Sequence, residues 1–65
     1  MIMRIKELRQ ERGMDQVELA AQVGVSQPTV SGWEQEVYLP PTRKLPYLAR
    51  VLGCTIDELF EEETA

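Results

Sequence analysis

The stretch from Gln16 to Gln35, QVELAAQVGVSQPTVSGWEQ, constrains this chain more than any other. Apolar residues recur at helical spacing on either side of one glycine. Leu19, Ala20 and Val23 stand at i, i+1 and i+4, and Val30 and Trp33 stand three apart. The pattern predicts two short helices joined by a tight turn. Gly24 lies between them, where the chain needs positive φ to reverse without a Cβ clash. Ala20 is small where two helix axes approach, and Val25 can plug the gap between them.

Local signals set the predicted bounds. Asp15 is a strong N-cap with Glu18 three residues on, a capping box, and Met14 and Leu19 hold the staple positions. Helix 2 is therefore expected over Gln16 to Val23. Ser26 caps the next segment, with Val25 and Val30 as staple, and Pro28 falls at the second helical position, where no intrahelical amide bond is lost. Helix 3 is expected over Gln27 to Gln35. Gly32 in its interior costs about 1 kcal/mol against alanine. A helix keeps such a residue by neglect, or because something comes close there.

Upstream, Ile2, Ile5 and Leu8 recur every third residue, predicting helix 1 over Met3 to Arg12, ended by Gly13. Downstream, Glu36 to Lys44 is a loop broken by Pro40-Pro41, with Tyr38 and Leu39 folding back over the core. Helix 4 opens near Leu45 with Pro46 in its first turn and runs to Leu52, closed by Gly53; Leu45, Leu48, Ala49 and Leu52 form its inner face. Thr55 and Glu58 form another capping box and Cys54 and Leu59 a staple, predicting helix 5 over Ile56 to Glu61 with Ile56, Leu59 and Phe60 inward. Together these give one all-α domain over 1–65, with its core in 2–60 and an acidic, frayed tail at 61–65. There is no repeat, low-complexity linker or strand pattern.

Composition narrows the function. No apolar run approaches the roughly 18 residues of a membrane span. The opening Met1-Ile-Met-Arg4 is too short for a secretory signal, and a cytoplasmic setting is expected. There is no histidine and one cysteine, Cys54. Histidine catalysis, an internal disulfide and a zinc site are thereby excluded, and Cys54 reads as a small core residue. With no phosphate-binding loop and no carboxylate pair with a reason to shift its pKa, no enzyme is expected, and no cofactor, metal or small-molecule ligand. Net charge is −4, which by itself argues against nucleic acid. The distribution argues otherwise. Arg4, Lys6, Arg9 and Arg12 crowd the first segment, Arg43 and Lys44 precede the fourth, and the acids gather at the end in Asp57, Glu58, Glu61, Glu62 and Glu63. One surface can thus stay positive.

Paired helices of this kind form a helix-turn-helix, which often presents its second helix to the DNA major groove. Three stretches carry a closer resemblance. They are IKELRxxRGMDQxELA from Ile5, VGVSQxTVSxWE ending at Glu34, and LPYLARVLGCTIDELF from Leu45. The chain resembles the Cro/CI-type, XRE-like family of phage repressors and their bacterial relatives across nearly its whole length. The resemblance implies a compact five-helix lambda-repressor-like domain with the helix-turn-helix formed by helices 2 and 3. It also implies a transcription regulator, a repressor, that binds double-stranded DNA as a homodimer on a pseudo-palindromic site.

Site residues follow from the same resemblance. Gln16 matches a phosphate-gripping glutamine and Gln27 a base-reading one; a glutamine amide suits adenine N6 and N7 because it donates and accepts together. Pro28 and Gly32 stand where the family often carries polar readers, and neither has a side-chain hydrogen bond to offer. Ser31 remains as a reader, Thr29 as a phosphate contact and Gln35 as a backbone contact. Arg43 matches an arginine that leans into the minor groove, with Lys44 beside it facing phosphate. Arg9 and Glu34 resemble an ion pair that fixes the angle of the reading helix. The acidic balance and the blank positions Pro28 and Gly32 leave one rival: a protein-interaction module that keeps the fold with weak or lost DNA binding.

Overall fold

The computed structural model describes residues 3–60, and Ile2 and the tail at 61–65 lie outside the described residues. Its helices are α1 (Ile5–Glu11), α2 (Gln16–Val23), α3 (Gln27–Glu34) and α4 (Leu45–Leu52), with short 3₁₀ turns at Thr42–Lys44 and Asp57–Leu59. No strand occurs among the described residues, and no helix there is long and apolar enough to cross a membrane.

Short-range chemistry accounts for these bounds. The Asp15 carboxylate accepts from the Glu18 amide at 2.8 Å, and the Ser26 hydroxyl accepts from the Thr29 amide at 3.3 Å. Each satisfies one of the amides that a helix start leaves unpaired. The helices close alike at their C-termini. After α2, Gly24 takes φ +80° and the Val25 amide reaches back to the Ala20 carbonyl at 2.9 Å. Gly13 and Gly53 do the same for α1 and α4.

The closure of α3 uses the wrong residue. Glu36, not a glycine, takes φ +61°, with the Val37 amide on the Gly32 carbonyl at 2.9 Å. A side chain in this left-handed region costs about 1–2 kcal/mol. Glu36→Gly is therefore expected to stabilise the protein by about 1 kcal/mol, after discounting glycine's greater freedom in the unfolded chain. A urea midpoint that stays put or falls would contradict this.

The core draws on every helix. Ile5 and Leu8 of α1, Leu19, Ala20 and Val23 of α2, Val30 and Trp33 of α3, and Leu48, Ala49 and Leu52 of α4 are all buried around Leu59. Trp33 is 2% exposed. α3 packs on α2 and α1, and its other side faces outward.

Five expectations need correction. Helix 1 starts at Ile5, because Met3 instead pairs antiparallel with Phe60 and the Arg4 amide donates to the Leu59 carbonyl at 2.6 Å. The same pairing abolishes helix 5. The Thr55–Glu58 capping box forms in both directions, at 2.9 and 3.1 Å, but only one 3₁₀ turn follows before Phe60 becomes extended. A six-residue helix has too few internal bonds to compete with that tertiary pairing, so the described residues hold four α-helices rather than five. Helix 3 ends at Glu34, with Gln35 as its cap. Finally, Leu39 does not fold back; it is 67% exposed, and Ile56, expected inward, is 42% exposed.

Candidate nucleic-acid interface

The outward side of α3 follows from its buried side. At about 100° per residue, Val30 and Trp33 define the inner face, and Pro28, Ser31 and Gln35 lie opposite. Gln27, Pro28 and Gln35 are exposed and Ser31 half-exposed. The Gln35 amide nitrogen donates to the Ser31 hydroxyl at 2.7 Å. The Thr29 hydroxyl is held 2.8 Å from that of Ser26 at the helix entrance.

A continuous polar chain joins this surface to the interior. The Arg9 guanidinium grips Glu34 with two parallel bonds, Nε to Oε2 at 2.8 Å and Nη2 to Oε1 at 3.0 Å. Their side chains are 9% and 3% exposed. A third arginine nitrogen donates to the Met14 carbonyl at 2.8 Å. Glu34 Oε1 also accepts from the Gln16 amide at 3.1 Å, and the Gln16 carbonyl accepts from Gln27 Nε2 at 2.6 Å. A helix-1 arginine thus fixes the pitch of α3, while Gln16 fixes the direction of the Gln27 amide. Burial alone would raise the Glu34 pKa. The hydrogen bonds from Arg9 and Gln16 and the arginine's charge outweigh it, and the carboxyl ends below its ordinary value. The hydrogen bond to Glu34 raises Arg9 correspondingly.

Proton counting shows what each glutamine has left. Gln27 spends one amide hydrogen on Gln16, keeping one N–H and its carbonyl for a two-point contact. Gln16 spends one N–H on Glu34 and its carbonyl on Gln27, keeping a single N–H. The Asp15 cap occupies the Glu18 amide, so the donors left at this end of α2 are that Gln16 side-chain hydrogen and the first backbone amides of the helix.

Two groups of predicted residues lie apart from the two glutamines. Gly32 is not open to a base or sugar, because the Tyr38 phenol lies on it. A Cβ built at Gly32 would stand 2.3 Å from the ring. Arg43 and Lys44 are not brought to the glutamines. They line an open groove of about 470 Å³ at the far end of α2, with Gln22, Gly24 and Tyr47. Arg43 is exposed, while the Lys44 ammonium donates to the Val23 carbonyl at 3.0 Å. There a cation meets the negative end of the helix and satisfies a terminal carbonyl, which competes with phosphate for Lys44. Tyr38 is the residue on this face that sequence reasoning did not place there. The signal for it was the unexplained glycine within α3, six positions earlier.

Among the described residues no cluster of histidine, cysteine or carboxylate side chains is suited to a metal ion. Half-burial beside the core pushes the Cys54 thiol up, with the Glu58 carboxylate adding to it, so the thiol is held in its unreactive form.

The helix-turn-helix family profile matches residues 5–59. A protein of Archaeoglobus fulgidus described as an uncharacterized HTH-type transcriptional regulator is 42% identical over 57 residues, 88% of this chain and 81% of that protein. Antitoxin HigA1 of Mycobacterium tuberculosis is 40% identical over 57 residues, but this chain spans only 38% of its length. Among solved structures, the P22 c2 repressor in complex with a synthetic operator superposes with a TM-score of 0.84 at 32% identity, covering 92% of this chain and 91% of that one. The N-terminal DNA-binding domain of SinR from Bacillus subtilis gives 0.78 at 30% identity, covering 95% and 91%.

Proposed function

The chain belongs to the Cro/CI-type helix-turn-helix family of transcription regulators, and we propose that it is a repressor that binds double-stranded DNA with α3 in the major groove. The observation that carries this reading is the Arg9–Glu34–Gln16–Gln27 chain. It holds a glutamine amide at the exposed start of α3 with one donor and one acceptor free, the pair that adenine N7 and N6 require. The remaining Gln16 hydrogen meets a phosphate, Ser31 supplies a further polar contact along the outward face, Thr29 and Gln35 touch the DNA backbone, and Arg43 leans into the minor groove. Two copies place their α3 helices in half-sites about 34 Å apart on a pseudo-palindrome. Such work sets the protein in the cytoplasm.

Removing one base reader tests this. Gln27→Ala is expected to weaken the preferred duplex by about 1–3 kcal/mol while leaving random duplex nearly unchanged. Gln16→Ala should weaken both, since it loses a phosphate contact and frees the Gln27 amide. Equal losses on preferred and random duplex for Gln27→Ala would remove its reading role. A wild-type chain that shifts no duplex in a gel at low salt would instead favour the interaction-module reading, to which the net charge of −4 points.

A further inference from the structure

The middle of the α3 face holds a side chain that does not come from α3. Gly32 lacks a side chain, and Pro28, one turn earlier, has none that can donate or accept. Tyr38 fills this stretch from outside the helix. The left-handed turn at Glu36 reverses the chain, the Val37 amide fastens it to the Gly32 carbonyl, and the phenol is laid over the Gly32 Cα. The hydroxyl then donates to the Pro28 carbonyl at 3.2 Å. The ring's seat depends on glycine, since any side chain at position 32 would evict it. Tyr38 nevertheless remains 47% exposed. The outward face of α3 is thus bordered by the Gln27 amide on one flank and by this phenol on the other.

We propose that Tyr38 is a specificity-determining residue of the α3 face, its phenol oxygen accepting a hydrogen bond from the exocyclic amino group of a base in the major groove. The chemistry follows from the single hydroxyl proton. That proton is spent on the Pro28 carbonyl, so the oxygen offers outward only lone pairs. It therefore favours adenine N6 or cytosine N4, which donate, and disfavours guanine O6 or thymine O4, which accept. The inference rests on the DNA-binding reading above and adds a second reading residue to it.

Selection from a random duplex pool, run with the wild-type chain, Tyr38→Phe and Gly32→Ala, tests it. Tyr38→Phe keeps the ring on Gly32 and removes only the oxygen; a thermal melt confirms that folding is intact. The wild type should show one position that prefers adenine or cytosine to guanine or thymine. Tyr38→Phe should reduce that preference by about three- to tenfold and leave the position read by Gln27 unchanged. Gly32→Ala, whose methyl group takes the ring's seat, should lose the same position. If Tyr38→Phe selects the wild-type site with equal sharpness, or weakens all sequences alike, the assignment of Tyr38 is overturned while the regulator reading stands. If the wild type selects no sequence, both are overturned together.

Discussion

Replacing Arg9 by alanine is expected to destabilise the domain by about 3–5 kcal/mol, because it strands a buried carboxylate. The Glu34 side chain is 3% exposed and takes two of its hydrogen bonds from that one guanidinium. A domain of this size holds roughly 3–10 kcal/mol in all, so the variant should be largely unfolded near room temperature. Arg9→Lys should recover only part of the loss, since an ammonium cannot reproduce the parallel fork. Acid gives the sign of the effect. In the wild type the Glu34 pKa is lowered, so its contribution is full above the unfolded value of about 4.3 and is lost as pH falls through the native value. In Arg9→Ala, burial of the unpaired carboxyl raises its pKa instead. Protonation then relieves the stranded charge, and the gap between variant and wild type should narrow below about pH 4. Urea melts at pH 7 and pH 3.5 measure both effects; a gap that is small at neutral pH, or that widens in acid, would show that the pair does not anchor α3.

DNA affinity is expected to fall by roughly 10²- to 10³-fold per bound subunit between 50 and 200 mM salt, and by about 10⁴- to 10⁶-fold when two copies bind together. The figure takes about four to six neutralised phosphates per subunit at a slope of about −0.9 each. The overall charge of −4 makes this informative. A chain that repels DNA on balance can bind only by turning a locally positive surface toward it, and such binding must be steep in salt. A flat response would mean that cations do not face the duplex and would move the case toward the interaction module. Titrations at several salt concentrations on one fixed duplex decide between the two.

Most of α1 to α4 was legible in the sequence because their ends are set by neighbours only a few residues away. Asp15 and Ser26 cap α2 and α3 where expected, Gly13, Gly24 and Gly53 close their helices, and the apolar spacing named the buried residues, Trp33 among them. The resemblance added pairings that spacing cannot give, and Arg9 does meet Glu34, 25 residues away. Its limits show at the last segment, where a well-formed capping box at Thr55 promised a helix and the described residues form a single 3₁₀ turn.

What the sequence by itself determined is the set of local choices: which residues turn, cap and face inward. These depend on hydrogen bonds and dihedral preferences spanning three or four residues, which a linear reading can count. The tertiary structure decided what depends on two distant segments arriving together. Phe60 is extended because Met3 lies beside it, Lys44 is drawn to α2 by a carbonyl 21 residues earlier, and Gly32 is covered because Glu36 turns Tyr38 back upon it. In each case a contact beyond the reach of one helical turn overrode the local preference, against a formed capping box at Thr55 and against the cost of a left-handed Glu36.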